Sequence, residues 1–244
     1  MIQILRPIPV DKIRLLVFDL DGTLIDSAQD LCNSVNAALA AHGLTTLEDP
    51  VIASFVGNGA PLLVRRSLAR AKGIELDQVT DELQTSAHEY FIRHYREHKL
   101  DSTYAYEGVL ESLAALKCIH DEHSEPCRQM AVLTNKPVNP ARGICEGLGM
   151  ADYFFRIYGG NSFDVKKPDP LGLRTIMEEA GVSPEETVMI GDSRVDVQTA
   201  RNAGVWSLGC DFGFGQRTLD LNPPDILVDS PADWSTALLP CNKK

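Results

Sequence analysis

The stretch RLLVFDLDGTLIDS, residues 14–27, decides how the rest of the chain is read. An aliphatic run ends on Asp19, a second aspartate follows at Asp21, and Gly22 and Thr23 then turn the chain. A short apolar run without alternation, bounded by turn residues, is the pattern of a strand buried on both faces. Runs of the same kind recur as MAVLTN (130–135), YFFRIYGG (153–160), ETVMIGD (186–192), VWSLGC (205–210) and DILVDS (225–230). Helical patterns separate them: GVLESLAALKCI (108–119), PARGICEGLGM (140–150), LGLRTIMEEAG (171–181) and SRVDVQTARNAG (193–204). The last two close on glycine, as helix C-termini prefer. Strands alternating with helices predict an α/β fold, a Rossmann-like, doubly wound and mainly parallel sheet.

Between Ala28 and about Leu100 that rhythm stops. Leu31, Val35 and Leu39 recur every four residues, Val79, Leu83, Ala87, Tyr90 or Phe91, and His94 make a second stripe, and GAPLLVRRSLARAKG (59–73) reads as a third helix. These predict an inserted all-helical cap domain over 28–100, with the core domain formed by 1–27 and 101–244.

The 244 residues, 44% of them hydrophobic, suffice for a full core. A net charge of -11 argues against a nucleic-acid partner, whose phosphates require a basic face. Arg6, Pro7, Pro9, Asp11, Lys12 and Arg14 interrupt the first residues, so neither a signal-peptide apolar region nor a membrane span is expected there. The expectation is a cytoplasmic protein with no membrane partner, either a monomer or a homodimer. The six cysteines are irregularly spaced and read as reduced, mostly buried thiols. His94 and His98 lie four apart, yet HYREH is strongly polar, and a solvated helix face is expected there rather than zinc. The C-terminal CNKK reads as a frayed end.

Polar residues stand where the predicted strands stop: Asp19 and Asp21, then Thr134 and Asn135, then Asp192. In open parallel sheets ligands bind at the carboxyl ends of strands, so these residues converge on one site. Three carboxylates together raise one another's pKa unless a cation sits among them, and hard oxygen ligands favour Mg2+.

FDLDGTLIDS (18–27), TN (134–135), KKPDP (166–170) and MIGDSRVD (189–196), in this order, resemble the haloacid dehalogenase superfamily of phosphotransferases along the whole chain. The resemblance implies that Asp19 is the nucleophile that forms an aspartyl-phosphate, and that Asp21 is the acid and base. Dehalogenases of the superfamily lack the second aspartate, whereas phosphatases and phosphomutases carry it. Thr134 and Lys167, the latter in preference to Lys166, match positions that hold the phosphoryl group, with Asn135 beside them. Gly22 and Thr23 would offer backbone N–H groups to the phosphate. Asp19, Asp21 through its carbonyl, and Asp192 would hold Mg2+, and Asp196 is expected behind them, orienting a ligand.

Within the cap, FVGNGAPLLVRR (55–66) resembles the VGNG segment of phosphoglycolate phosphatases. That resemblance implies substrate contacts from Asn58, Gly59 and Arg65 or Arg66. At YAYEGVLE (104–111) the chain departs from its relatives, with Glu107 where they commonly carry proline. The implied activity is hydrolysis of a small phosphorylated metabolite, 2-phosphoglycolate foremost. A phosphomutase acting on β-glucose phosphate and a pyrophosphatase share the same motifs. A receiver-like switch module fits less well, because it has neither the paired aspartates at one strand end nor the insertion.

Overall fold

The computed structural model describes residues 1–117 and 128–238. Cys118, Cys127 and Cys241, the last turn of the helix predicted over 108–119 and the CNKK tail lie outside the described residues. In chain order the elements are β1 (Ile2–Ile4), β2 (Leu15–Phe18), β3 (Ile25–Asp26), α1 (Ala28–Ala41), α2 (Asp49–Ala53), α3 (Ala60–Lys72) and α4 (Asp81–His98). Then follow β4 (Tyr104–Ala105), α5 (Val109–Lys117), β5 (Gln129–Leu133), α6 (Val138–Gly147), β6 (Arg156–Tyr158), α7 (Leu171–Ala180) and β7 (Thr187–Gly191). The chain ends with α8 (Arg194–Ala203), β8 (Trp206–Cys210), α9 (Gln216–Leu219), β9 (Ile226–Val228) and α10 (Asp233–Leu238). It divides into two compact units, Met1–Ile25 with Ala105–Lys244, and Asp26–Tyr104. The sequence pattern places the crossings at 27/28 and 100/101.

The first unit holds a seven-stranded sheet in the order β1-β9-β8-β7-β2-β5-β6. All neighbours are parallel except β1, which pairs antiparallel with β9. This is the doubly wound α/β arrangement. β2 lies between β5, which continues the sheet in one direction, and β7, which begins the other, so strand order reverses around it. Both faces are covered. Leu15 and Val17 pack with Leu173, Ile176 and Met177 of α7 and Ala200 and Ala203 of α8. Phe18 turns the other way, its ring 5.4 Å from that of Trp234 on α10 and 6.0 Å from that of Phe154. Double burial is why β2 reads as an unbroken apolar run. β1 escaped the sequence reading because three residues on an edge carry no period.

In the second unit α1 packs on α2, α3 and α4, and α3 packs on α4. Leu31, Val35 and Leu39 are buried, as are Val79, Ala87, Phe91 and Tyr95, so the core stripe of α4 runs through Phe91 to Tyr95 rather than His94. His94 Nδ1 instead lies 3.0 Å from Ser34 Oγ on α1, and His98 Nδ1 is 2.7 Å from Asp101 Oδ2. Asp30 on α1 is buried and accepts from the N–H groups of Ser102 and Thr103 and from Thr103 Oγ1, tying the start of the unit to its end. Cys32, Cys145 and Cys210 are free and buried. Among the described residues no helix is long and apolar enough to cross a membrane.

Candidate active site

Three adjacent strands aim their ends at one place. Phe18 is in register with Val132 of β5 and Ile190 of β7, so Asp19, Thr134 and Asp192 emerge side by side, one or two residues later. Asp19 N–H still donates to Ile190 O at 2.8 Å, and Thr134 N–H to Tyr158 O at 3.0 Å. The sheet ladder therefore sets the backbone of both residues, and only their side chains project beyond it.

Lys167 is buried at the centre, its Nζ 2.9 Å from Asp19 Oδ1 and 2.6 Å from Asp196 Oδ1. Asp196 Oδ2 accepts from the N–H and Oγ of Ser193, a capping box at the start of α8. Asp192 Oδ2 accepts Gly215 N–H at 2.8 Å. A second buried ammonium, Lys136 Nζ, lies 2.7 Å from Asp21 Oδ1. Asn135 Nδ2 donates to Lys167 O at 3.1 Å and so holds the lysine's backbone.

Burial pushes the Asp19 carboxyl up to about 6; Lys167 pulls against this shift, while Asp196 and Asp21 add repulsion. Burial, with Asp196 and Asp19, raises Asp192 well above the carboxylate range. For Lys167 burial works against the charge, but Asp19 and Asp196 outweigh it and keep the ammonium above its ordinary value. Fully ionised, the four carboxylates Asp19, Asp21, Asp192 and Asp196 would exceed the two ammoniums of Lys136 and Lys167 by two negative charges, the repulsion that contributes to raising Asp19 and Asp192.

That surplus matches a divalent cation. Asp19, Asp192 and Asp196 bring ligand oxygens within 4.8 Å of one another, and an all-oxygen donor set suits a hard ion such as Mg2+. Glycines shape the space around them. Gly22 has φ +84, and a Cβ there would run into the Asp192 carboxylate. A Cβ at Gly191 would overlap Asp196, and one at Gly213 would overlap Gly22 O and Asp192. The residues present thus fit the expected ion.

Asp19, Asp21, Thr134, Lys167 and Asp192 all belong to this cluster or to the strand ends beside it. Lys167 is buried in it, whereas Lys166 is exposed. Asp196, expected behind the ligands, shares the carboxylate cluster itself. The two backbone donors expected for the phosphate are bonded within the turn in this structure, Gly22 N–H to Ile25 O and Thr23 N–H to Leu20 O. In the 26–104 unit, Arg65 Nε and Nη2 donate to the carbonyls of Leu76 and Val79, each at 3.0 Å. Arg66 Nη1 instead donates to Asn58 Oδ1 at 3.1 Å, beside a turn in which Gly57 and Gly59 take positive φ. Sequence reasoning missed Lys136, Gly213 and Gly215. The signals were present, a lysine next to Thr134 and Asn135 and the glycine pair in DFGFGQ (211–216), but a charge or a glycine in a loop has many ordinary uses.

Residues 16–210 match the family model of the haloacid dehalogenase-like hydrolases. A phosphoglycolate phosphatase of Vibrio vulnificus is 36% identical over 93% of this chain and 97% of its own. One of Pseudomonas putida is 38% identical over 88% of this chain and 76% of its own. A crystal structure described as a predicted phosphoglycolate phosphatase from Haemophilus somnus superimposes with a TM-score of 0.83 at 29% identity, covering 91% of this chain and 96% of the other. With the matching model spanning the strand ends that carry Asp19, Thr134 and Asp192 and the loop that carries Lys167, the chain belongs to the haloacid dehalogenase-like hydrolases.

Proposed function

We propose that this hydrolase is a cytoplasmic, magnesium-dependent phosphatase of small phosphorylated metabolites, with 2-phosphoglycolate the first candidate. The observation that carries the reading is Asp19, at a strand end, 2.9 Å from the buried Lys167 and two residues from Asp21. Relatives named phosphoglycolate phosphatase, aligned along nearly the whole chain, support the choice of substrate.

In this reading an Asp19 oxygen attacks phosphorus and the bond to the leaving alcohol breaks, giving an aspartyl-phosphate. Asp21 gives the departing alkoxide its proton, then takes one from the water that attacks the same phosphorus. That second attack releases inorganic phosphate and restores Asp19. Lys167 Nζ and Thr134 Oγ1 donate to the phosphoryl oxygens, where charge concentrates in the transition state. Asp19, Asp192, Asp196 and the Asp21 carbonyl would hold Mg2+, which supplies further neutralisation of the phosphate oxygens.

The test is phosphate release across a panel of phosphorylated metabolites, with magnesium or with EDTA. Magnesium-dependent release, strongest for 2-phosphoglycolate and lost in Asp19→Asn, is expected. Activity in EDTA, or full activity of Asp19→Asn, overturns the mechanism. Isomerised product without free phosphate identifies a mutase instead, and preference for pyrophosphate identifies a pyrophosphatase.

A further inference from the structure

Lys136 has no part in the steps above, yet its ammonium is buried and its Nζ lies 2.7 Å from Asp21 Oδ1. Its backbone is held on both sides. Lys136 N–H donates to Thr134 Oγ1 at 3.2 Å, and Lys136 O accepts Gly160 N–H at 2.8 Å. The loop after β6 closes on it so tightly that a Cβ at Gly159 would strike Lys136 O and Val138 N, and one at Gly160 would strike Asn135 O. A buried ion pair is a poor stabiliser, since desolvation consumes most of the Coulomb gain. The tight seating therefore favours a task at Asp21.

We infer that Lys136 is a positioning residue for Asp21, holding Oδ1 so that Oδ2 faces the reacting oxygen and carries the transferred proton. The inference rests on the proposed role of Asp21 as acid and base. In the first step, the electron pair of the breaking P–O bond passes to the leaving oxygen, which takes the proton from Asp21 Oδ2. The carboxylate so formed stays oriented by Lys136. In the second step the same Oδ2 removes a proton from water as its oxygen bonds to phosphorus and the Asp19–phosphorus bond breaks. Without Lys136 the carboxyl group loses the ammonium that fixes Oδ1, and the proton then leaves from a less well aimed oxygen.

The experiment compares kcat/KM for 2-phosphoglycolate, whose alkoxide needs a proton to leave, with that for 4-nitrophenyl phosphate, whose phenolate does not. Because kcat/KM ends at the first irreversible step, it reports alcohol departure. Lys136→Met should lower the alkyl value by about 100-fold and the aryl value by about 10-fold or less, within the range of general acid–base effects. Lys136→Arg should recover much of the alkyl-to-aryl ratio. Adding Lys136→Met to Asp21→Asn should leave that ratio where Asp21→Asn alone puts it. An equal loss on both substrates in Lys136→Met, with the selective loss present in Asp21→Asn, overturns the inference alone. An equal loss in Asp21→Asn overturns the acid–base reading and the inference with it. If Lys136→Met does not fold, because it removes the ammonium beside the Asp21 carboxylate, Lys136→Gln is judged by the same ratio, and the double variant, which lacks both charges, serves as its reference.

Discussion

Replacing Lys167 by methionine keeps the side chain's length and removes one charge from the middle of the carboxylate cluster. Nζ lies 2.9 Å from Asp19 Oδ1 and 2.6 Å from Asp196 Oδ1. With an effective dielectric of about 20, each contact is worth roughly 6 kcal/mol of Coulomb energy before desolvation is counted. Most of that is offset in the intact pair, but removing one partner strands the other. Breaking a buried pair typically costs about 3–5 kcal/mol. For a chain of this size that corresponds to a fall in Tm of about 6–20 °C. The assay is thermal unfolding in EDTA, followed by a magnesium titration. Magnesium should restore more stability to Lys167→Met than it adds to the wild type, because the variant carries one more uncompensated negative charge. Lys167→Met/Asp196→Asn should regain much of the lost Tm without regaining activity. A single variant that melts within about 2 °C of the wild type in EDTA, a shift of less than roughly 1 kcal/mol, would refute the charge balance drawn from the structure. A double variant no more stable than the single one would do the same.

Three further outcomes follow from the geometry. Gly213→Ala places a methyl against Gly22 O and Asp192, and should weaken magnesium affinity by about 10–100-fold as Asp192 is displaced, measurable by calorimetry without substrate; unchanged affinity contradicts the close packing. Arg128 is buried and donates to Val10 O at 2.6 Å, Ile13 O at 3.0 Å and Leu238 O, so Arg128→Met should lower stability by about 2–5 kcal/mol in denaturant unfolding as three carbonyls lose a charged donor; a midpoint equal to wild type refutes the clamp. Arg65→Ala should cost about 1–3 kcal/mol of stability through the lost bonds to Leu76 and Val79, whereas a change in KM alone would return Arg65 to substrate binding.

Strand-end chemistry was legible in the linear chain because a doubly covered parallel strand must be a short apolar run, and a polar residue directly after it must lie at the carboxyl end of the sheet. Asp19, Thr134 and Asp192 follow from that rule alone, together with the α/β class and the helical interruption after Ser27. The preference for Lys167 over Lys166 did not follow from that rule but from the family resemblance, and in the structure Lys167 is the one buried against Asp19 and Asp196. Nor did the status of Gly22 and Thr23, whose N–H groups the turn itself uses, or of Arg65, which is spent on carbonyls within its own unit.

What the sequence by itself determined is the fold class and the order of the strands' polar ends, with Asp19 and Asp21 together at the first of them, because these depend on local pattern and on covalent adjacency. Only the tertiary structure decided which charges meet. Lys136 reaches Asp21 across 115 positions of sequence and Lys167 reaches Asp196 across 29, and such pairings are set by strand register and loop packing, which no local pattern encodes.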